Sequence, residues 1–211
     1  MKTSLCSLRA LAACAVISLA ACGSAVPQRA SQWRDPALAA GSLPLRGQTV
    51  LVACEAWDLA MRQNCQSSLV NELQTLGARP VASSADPSAR GVDLDAQLKP
   101  EAAAAGAKAV LVVALTPAAT GGGALSGASL GIGGFSWGGG GGGGIGIGVP
   151  IGGGGWGGSS GLAAQSRVSD VPTGRLMWAS TFVSERVGDY SAQVRELAAA
   201  VVNAAHGDGL L

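Results

Sequence analysis

Histidine is almost missing from this chain: of 211 residues only His206 carries an imidazole. It stands near the carboxyl end, in what reads as a frayed tail with no plausible triad partner, and a zinc site wants four nitrogen or sulfur ligands that the sequence does not supply. Charge is scarce as well. There are 14 Lys and Arg against 13 Asp and Glu, and no charged residue falls between Lys108 and Arg167. A near-neutral chain has no electrostatic reason to bind nucleic acid, and it has no basic patch for anionic lipid heads. No Gly-Lys-Ser/Thr follows the glycine-rich stretch, which sets aside a phosphate-cradling loop. No spacing of acid, base and nucleophile rises to a catalytic set, so the expectation is a noncatalytic protein without metal or cofactor.

What the chain does have begins at its amino end. Lys2 and Arg9 are followed by an uncharged, mostly apolar run from Ala10 to Ala21. That is a leader pattern, too short to span a bilayer core of about 30 Å. It ends in Leu19-Ala20-Ala21-Cys22, which resembles the lipobox of bacterial lipoproteins. The resemblance implies a leader over residues 1–21, removed before Cys22, and a diacylglycerol on the Cys22 thiol with a further acyl chain on the new amino group. Several acyl chains make a stable anchor where one would be marginal. The rival reading is an ordinary secretory signal cut elsewhere. Gly23 stands where an Asp would favour inner-membrane retention, so the sorting rule of such lipoproteins implies the outer membrane, periplasmic face. The leader holds Lys2 and Arg9 and no acid, leaving 12 basic against 13 acidic side chains, a net charge of −1.

The five cysteines divide by fate. Cys6 and Cys14 leave with the leader, Cys22 is lipidated, and Cys54 and Cys65 remain as a pair in an oxidising compartment. Their spacing is not that of a redox dithiol. A structural disulfide is favoured over two buried free thiols.

Residues 22–48 are rich in Ala, Pro, Ser and Gln and read as a flexible tether. One domain follows over 49–206, with 207–211 as tail. Thr49–Cys54 is a short apolar run, hence a buried strand. Met61, Cys65, Leu69, Leu73 and Leu76 form one helical stripe, with Asp58 as its cap and Gly77 as its left-handed stop. This places Cys65 facing the strand of Cys54. Ala78–Ser83 reads as a strand and Asp86-Pro87-Ser88 as a turn. Leu94 and Leu98 start a weak helix that Pro100 interrupts. Ala109–Leu115, apolar on both faces, reads as a central strand. Arg167–Asp170 and Leu176–Val183 read as a hairpin around Val171-Pro172-Thr173-Gly174, with Asp170 shaping the turn and Trp178 in the core. Val194, Leu197, Val201 and Ala205 mark a last amphipathic helix. The expected fold is α/β leaning to α+β: one small mixed sheet of about five strands and three helices.

The insertion at 120–161 is of another kind and holds most of the chain's 33 glycines. The bland reading is a loop that cannot offset its ordering entropy. The pointed one starts from Ile145, Ile147, Val149 and Ile151, which alternate mostly with glycine. Extended, they present one apolar and one bare face. Phe135, Trp137 and Trp156 flank them as aromatics flank a membrane-facing strand, so these seven residues are candidates for contact with lipid or a partner. Pro150 limits any central strand there.

Three pieces taken together, "TVLVAC…LVNELQTLGARPV", "AAAAGAKAVLVV" and "VSDVPTGRLMWAS", resemble the small α/β domain of envelope lipoproteins related to the TolB amino-terminal domain, the penicillin-binding-protein activators and the curli secretion channel lipoprotein. Uncharacterised glycine-rich lipoproteins carry the third piece. The resemblance implies a noncatalytic domain that binds an envelope protein partner or assembles; it transfers no binding residue. The alternatives are an oligomeric secretion or pore-associated subunit using the glycine-rich segment, and a cell-wall enzyme.

Overall fold

The computed structural model describes residues 26–38, 42–86, 94–119, 160–185 and 189–211. Its elements run β1 (Gln28–Arg34), β2 (Thr49–Glu55), α1 (Leu59–Thr75), β3 (Arg79–Ala82), α2 (Leu94–Ala104), β4 (Ala109–Ala119), β5 (Ser160–Asp170), β6 (Leu176–Ser184) and α3 (Tyr190–Gly207). The strands form a single six-stranded mixed sheet in the order β1-β6-β5-β4-β2-β3. β2 is parallel to β3 and β4, whereas β4, β5, β6 and β1 follow one another antiparallel. This is the expected α/β class, with one strand more than the sequence pattern revealed.

Period-two alternation divides the core. Val50, Val52 and Cys54 of β2 and Leu111, Val113 and Leu115 of β4 face α1 and α3 and join Leu69, Leu73, Leu197 and Val201 in the larger cluster. Leu51, Ala53, Val110 and Val112 face the other way and pack on Leu98 and Ala102 of α2. A strand covered on both faces must be apolar throughout, which is why β2 and β4 are the plainest strands in the sequence. The Cys54–Cys65 disulfide ties β2 to α1 with a Cα–Cα distance of 6.2 Å. Asp58 caps α1 by accepting from the Met61 amide at 2.9 Å, and Gly77 stops it with φ of 83°.

Five expectations are corrected. Gln28–Arg34 is no tether: it is edge strand β1, paired with β6 from Gln28↔Val183 to Arg34↔Trp178. Its residues are polar because only one side of an edge strand meets the domain, so it lacks an apolar signature. β5 starts at Ser160 rather than Arg167 and takes in the end of the expected loop, since its small residues Gly161, Ala163 and Ala164 pair in register with β4. Pro100 does not interrupt α2. Proline removes one helical hydrogen bond, but Leu98 and Ala102 are fully buried on the sheet, and Glu101 is held by the Ser83 and Ser84 hydroxyls and the Ser84 amide. Residues 207–211 are not a loose tail, for Leu210 and Leu211 are buried, and the Leu45 amide donates to the Leu210 carbonyl at 2.9 Å. His206, expected to fray, is in α3 with Nδ1 2.8 Å from the Leu211 carbonyl oxygen.

Candidate functional site

Strand directions define two edges of the sheet. At one edge β2, β3, β4 and β6 end and β1 and β5 begin; at the other the reverse holds. We call the first the carboxyl edge. In open α/β sheets the crevice outside the carboxyl ends of parallel strands, where successive connections leave to opposite faces, is the usual place for a site. Here that point lies between β2 and β4, since β2 leads to β3 through α1 on one face and β3 leads to β4 through α2 on the other.

Both α1 and α3 start at this edge. Between their first turns lies an open groove of about 420 Å³ lined by Trp57, Asp58, Met61, Asn64, Tyr190 and Val194. Two glutamines fix its walls. Gln66 donates to the carbonyls of Val52 at 2.9 Å and Ser83 at 2.7 Å, joining α1 to β2 and to the segment after β3. The buried Gln193 donates to the Glu185 carbonyl at 2.7 Å and joins α3 to the segment after β6. Asn64 donates to the Ser191 carbonyl at 3.2 Å across the groove.

Each helix start is closed by its own carboxylate: Asp58 accepts from the Met61 amide and Asp189 from the Ala192 amide at 2.6 Å. A capped terminus has fewer free N–H groups to offer an anion. What the groove does expose is aromatic: Trp57 is 56% and Tyr190 41% accessible. Trp57 precedes the cap, where an apolar residue ordinarily packs on the fourth helical residue. That residue is Arg62, whose guanidinium holds Asp86 at 2.7 Å, so the indole stays in solvent. The arrangement suits contact with apolar or amphipathic matter, with two acidic side chains beside it.

Three carboxylates elsewhere, Asp170, Asp208 and Glu101, are committed to structure. Asp170 accepts from the Thr173 hydroxyl at 2.6 Å and its amide at 3.0 Å, shaping the expected turn, and pairs with Lys108 at 2.8 Å. Burial pushes its pKa up, but the hydrogen bonds from Lys108 and Thr173 and the lysine charge outweigh this and hold it below the usual range. Asp208 is likewise pushed up by burial and brought below its ordinary value by hydrogen bonds from Arg29 and Trp178 and by the charges of Arg29 and Arg34. Glu101 is raised by burial and lowered further by Ser83, Ser84 and the Ala85 amide. Trp178 is fully buried, as expected, and its Nε1 donates to Asp208 at 2.7 Å. Among the described residues no group of three His, Cys, Asp or Glu is placed to hold a metal, and no helix is long and apolar enough to cross a membrane.

Of the residues singled out from sequence, Cys54 and Cys65 are joined and lie in the core. Cys22 and the candidate contact residues Phe135, Trp137, Ile145, Ile147, Val149, Ile151 and Trp156 lie outside the described residues. Sequence reasoning missed Trp57 and Tyr190. The available signal was an aromatic side chain directly beside each helix-capping aspartate, Asp58 and Asp189; that the two share a groove depends on the direction of β6, which no local pattern contains.

No family model matches this chain, and no curated protein matches it. It is similar to two solved structures of PelC from Paraburkholderia phytofirmans. One is a dodecamer of a leucine-to-methionine variant, with 15% identity over 83% of this chain and 95% of that one and a TM-score of 0.48. The other is a PelC dodecamer, with 17% identity over 83% and 94% and a TM-score of 0.46.

Proposed function

We propose that this chain is a noncatalytic envelope lipoprotein, anchored in the outer membrane through acylated Cys22, that holds or regulates another envelope protein at the membrane surface. The observation that carries this reading is β1. The lipobox ends at Cys22 and the sheet begins at Gln28. The domain is therefore joined to the anchor by a few residues rather than by a long tether, and it works close to the lipid. The carboxylates described above serve caps, turns and ion pairs, which fits a binding role rather than turnover.

The test is the intact mass of the protein made with its leader in a bacterium, together with its distribution between outer and inner membranes. A mature chain starting at Cys22 with acyl groups added, in the outer-membrane fraction, is the expected result. An unmodified chain cut elsewhere and recovered in the soluble fraction removes the anchor and this function with it.

One observation favours a second reading, the oligomeric secretion or pore-associated subunit. β4 and β5 pair without a break from Ala109↔Asp170 to Ala119↔Ser160, whereas β2 stops opposite Ala114 and β6 opposite Leu162. The β4–β5 ribbon thus outruns its neighbours at the carboxyl edge, where the glycine-rich sequence departs. Light scattering of the lipid-modified protein in mild detergent, with and without residues 121–158, separates the two. A monomer in both cases favours the accessory reading; a defined oligomer that collapses on deletion favours the subunit.

A further inference from the structure

The exposed apolar side chains are not scattered. Among the described residues five large hydrophobic side chains stand out in solvent: Val26 at 71%, Trp57 at 56%, Leu59 at 55%, Tyr190 at 41% and Val81 at 39%. The first four stand at the carboxyl edge. Val26 precedes the start of β1, Trp57 and Leu59 follow the end of β2, and Tyr190 opens α3 just after β6. Only Val81 stands apart, on the outer strand β3. The opposite edge holds none of these five side chains, whereas the carboxyl edge holds four of them beside one ion pair, Arg62–Asp86. The opposite edge carries the ion pairs Lys108–Asp170 at 2.8 Å and Arg175–Asp35 at 2.7 Å.

The covalent chain leads to the same edge. Gln28 pairs with Val183 near the end of β6, so β1 enters the sheet from the carboxyl side. From Cys22 to Gln28 is six residues, which reach at most about 22 Å at about 3.6 Å per residue. That is less than the diameter of a small domain, so an anchor at Cys22 cannot comfortably bring the opposite edge to the lipid.

We infer that the carboxyl edge is the face seated on the bilayer, with Val26, Trp57, Leu59 and Tyr190 in the headgroup region of zwitterionic lipid and the Lys108–Asp170 and Arg175–Asp35 edge turned to the aqueous compartment. This rests on the proposed Cys22 anchor and adds which surface meets the membrane. Tryptophan and tyrosine suit that layer because each has an apolar body and a polar tip. Zwitterionic rather than anionic lipid fits the chemistry here: the carboxylates of Asp58 and Asp189 stand beside the aromatics, and the guanidinium of Arg62 at the same helix start is already taken up by Asp86 at 2.7 Å. The seat also explains why Trp57 and Leu59 tolerate exposure at a helix start, where solvent alone would favour polar residues. The partner-binding surface then lies on the parts of the domain facing away from the lipid.

The experiment uses the full lipid-modified protein in phosphatidylcholine vesicles carrying a small fraction of a photoactivatable phospholipid. After illumination, lipid adducts are mapped by peptide mass spectrometry, and the intact mass of the same sample reports acylation. Adducts are expected on the peptides bearing Trp57–Leu59 and Tyr190, with about a tenth of that yield on those bearing Lys108 and Arg175. The double variant Trp57→Ser, Leu59→Ser changes two exposed positions, keeps the fold, and is expected to cut labelling at that edge about fivefold, as the loss of buried apolar area requires. An acylated protein whose adducts spread evenly, or favour the opposite edge, or do not respond to the double variant, overturns the seat while leaving the anchor standing. A protein without acyl mass removes the anchor and the seat together.

Discussion

Asp170 joins a turn to a strand edge, and its protonation links the fold to pH. Its carboxyl is held below the usual range in the folded protein by hydrogen bonds from Lys108 and Thr173 that more than offset burial. A depressed folded-state pKa means that the unfolded chain binds the proton more readily. The stabilisation is therefore complete above the unfolded value, near pH 4, and is lost as pH falls from there through the folded value. Asp208 and Glu101 act in the same direction. Denaturant midpoints measured from pH 7 down to pH 2 should fall steadily for the parent chain. In Asp170→Asn the acid limb should be shallower, not flat, because the other two carboxylates remain. A limb of unchanged slope would show that Asp170 takes no part in the acid response. Thr116 makes the opposite case. Its Oγ1 is buried with no hydrogen-bond partner among the described residues. A buried hydroxyl without a partner costs about 1–3 kcal/mol, and valine has nearly the same shape. Thr116→Val is expected to raise the unfolding midpoint, by an amount equivalent to about 1 kcal/mol in chemical denaturation.

At the scale of elements, the disulfide is the simplest lever. Cys54 and Cys65 are separated by 11 positions and connect β2 to α1 inside the core. Cross-linking a loop of that size restricts the unfolded chain by about 3 kcal/mol on the entropy argument. Cys54→Ala should lower stability by about that amount under oxidising conditions, and addition of a reductant should destabilise the parent but not the variant. These two residues were legible in the sequence because β2 and α1 were legible: a doubly covered strand is apolar throughout, and a helix on one face of a sheet repeats its apolar residues every third or fourth position. The same logic shows why β1 was not. Gln-Arg-Ala-Ser-Gln-Trp-Arg has no alternation, and what holds it is specific: backbone pairing to β6, and Arg29 spread over the Trp178 and Phe182 rings on its way to Asp208. α2 was half legible. Pro100 argued for a break, and only the contacts of Leu98, Glu101 and Ala102 decide otherwise. The groove was illegible for a topological reason. Trp57 and Tyr190 lie 133 positions apart in sequence, and only the parallel alignment of β2 with β6, with β4 and β5 between them in the sheet, sets their helices side by side.

The two ends of the described chain meet, and this closes the whole molecule. Asp208, just after α3, accepts from Arg29 and Gln32 of β1 and from Trp178 of β6. Two residues further on, Leu210 and Leu211 enter the main core beside Leu45. β1 is therefore fastened to the sheet by backbone pairing to β6 and by side chains that reach the end of α3. Losing either fastening should loosen β1. Leu210→Ala leaves the Arg29–Asp208 pair intact but opens a cavity in the main core, at an expected cost of about 2–5 kcal/mol. Asp208→Asn leaves the core intact but removes the charge that Arg29 spans two aromatic rings to reach. Hydrogen exchange distinguishes the two. Leu210→Ala should raise exchange throughout α3 and the sheet, as expected for a loss of global stability. Asp208→Asn should raise it chiefly at β1 residues 28–34, as local opening of an edge strand does, with the β2 and β4 amides still protected. If β1 stays as protected in Asp208→Asn as in the parent chain, backbone pairing alone secures the strand, and the Arg29–Asp208 pair contributes nothing to holding it.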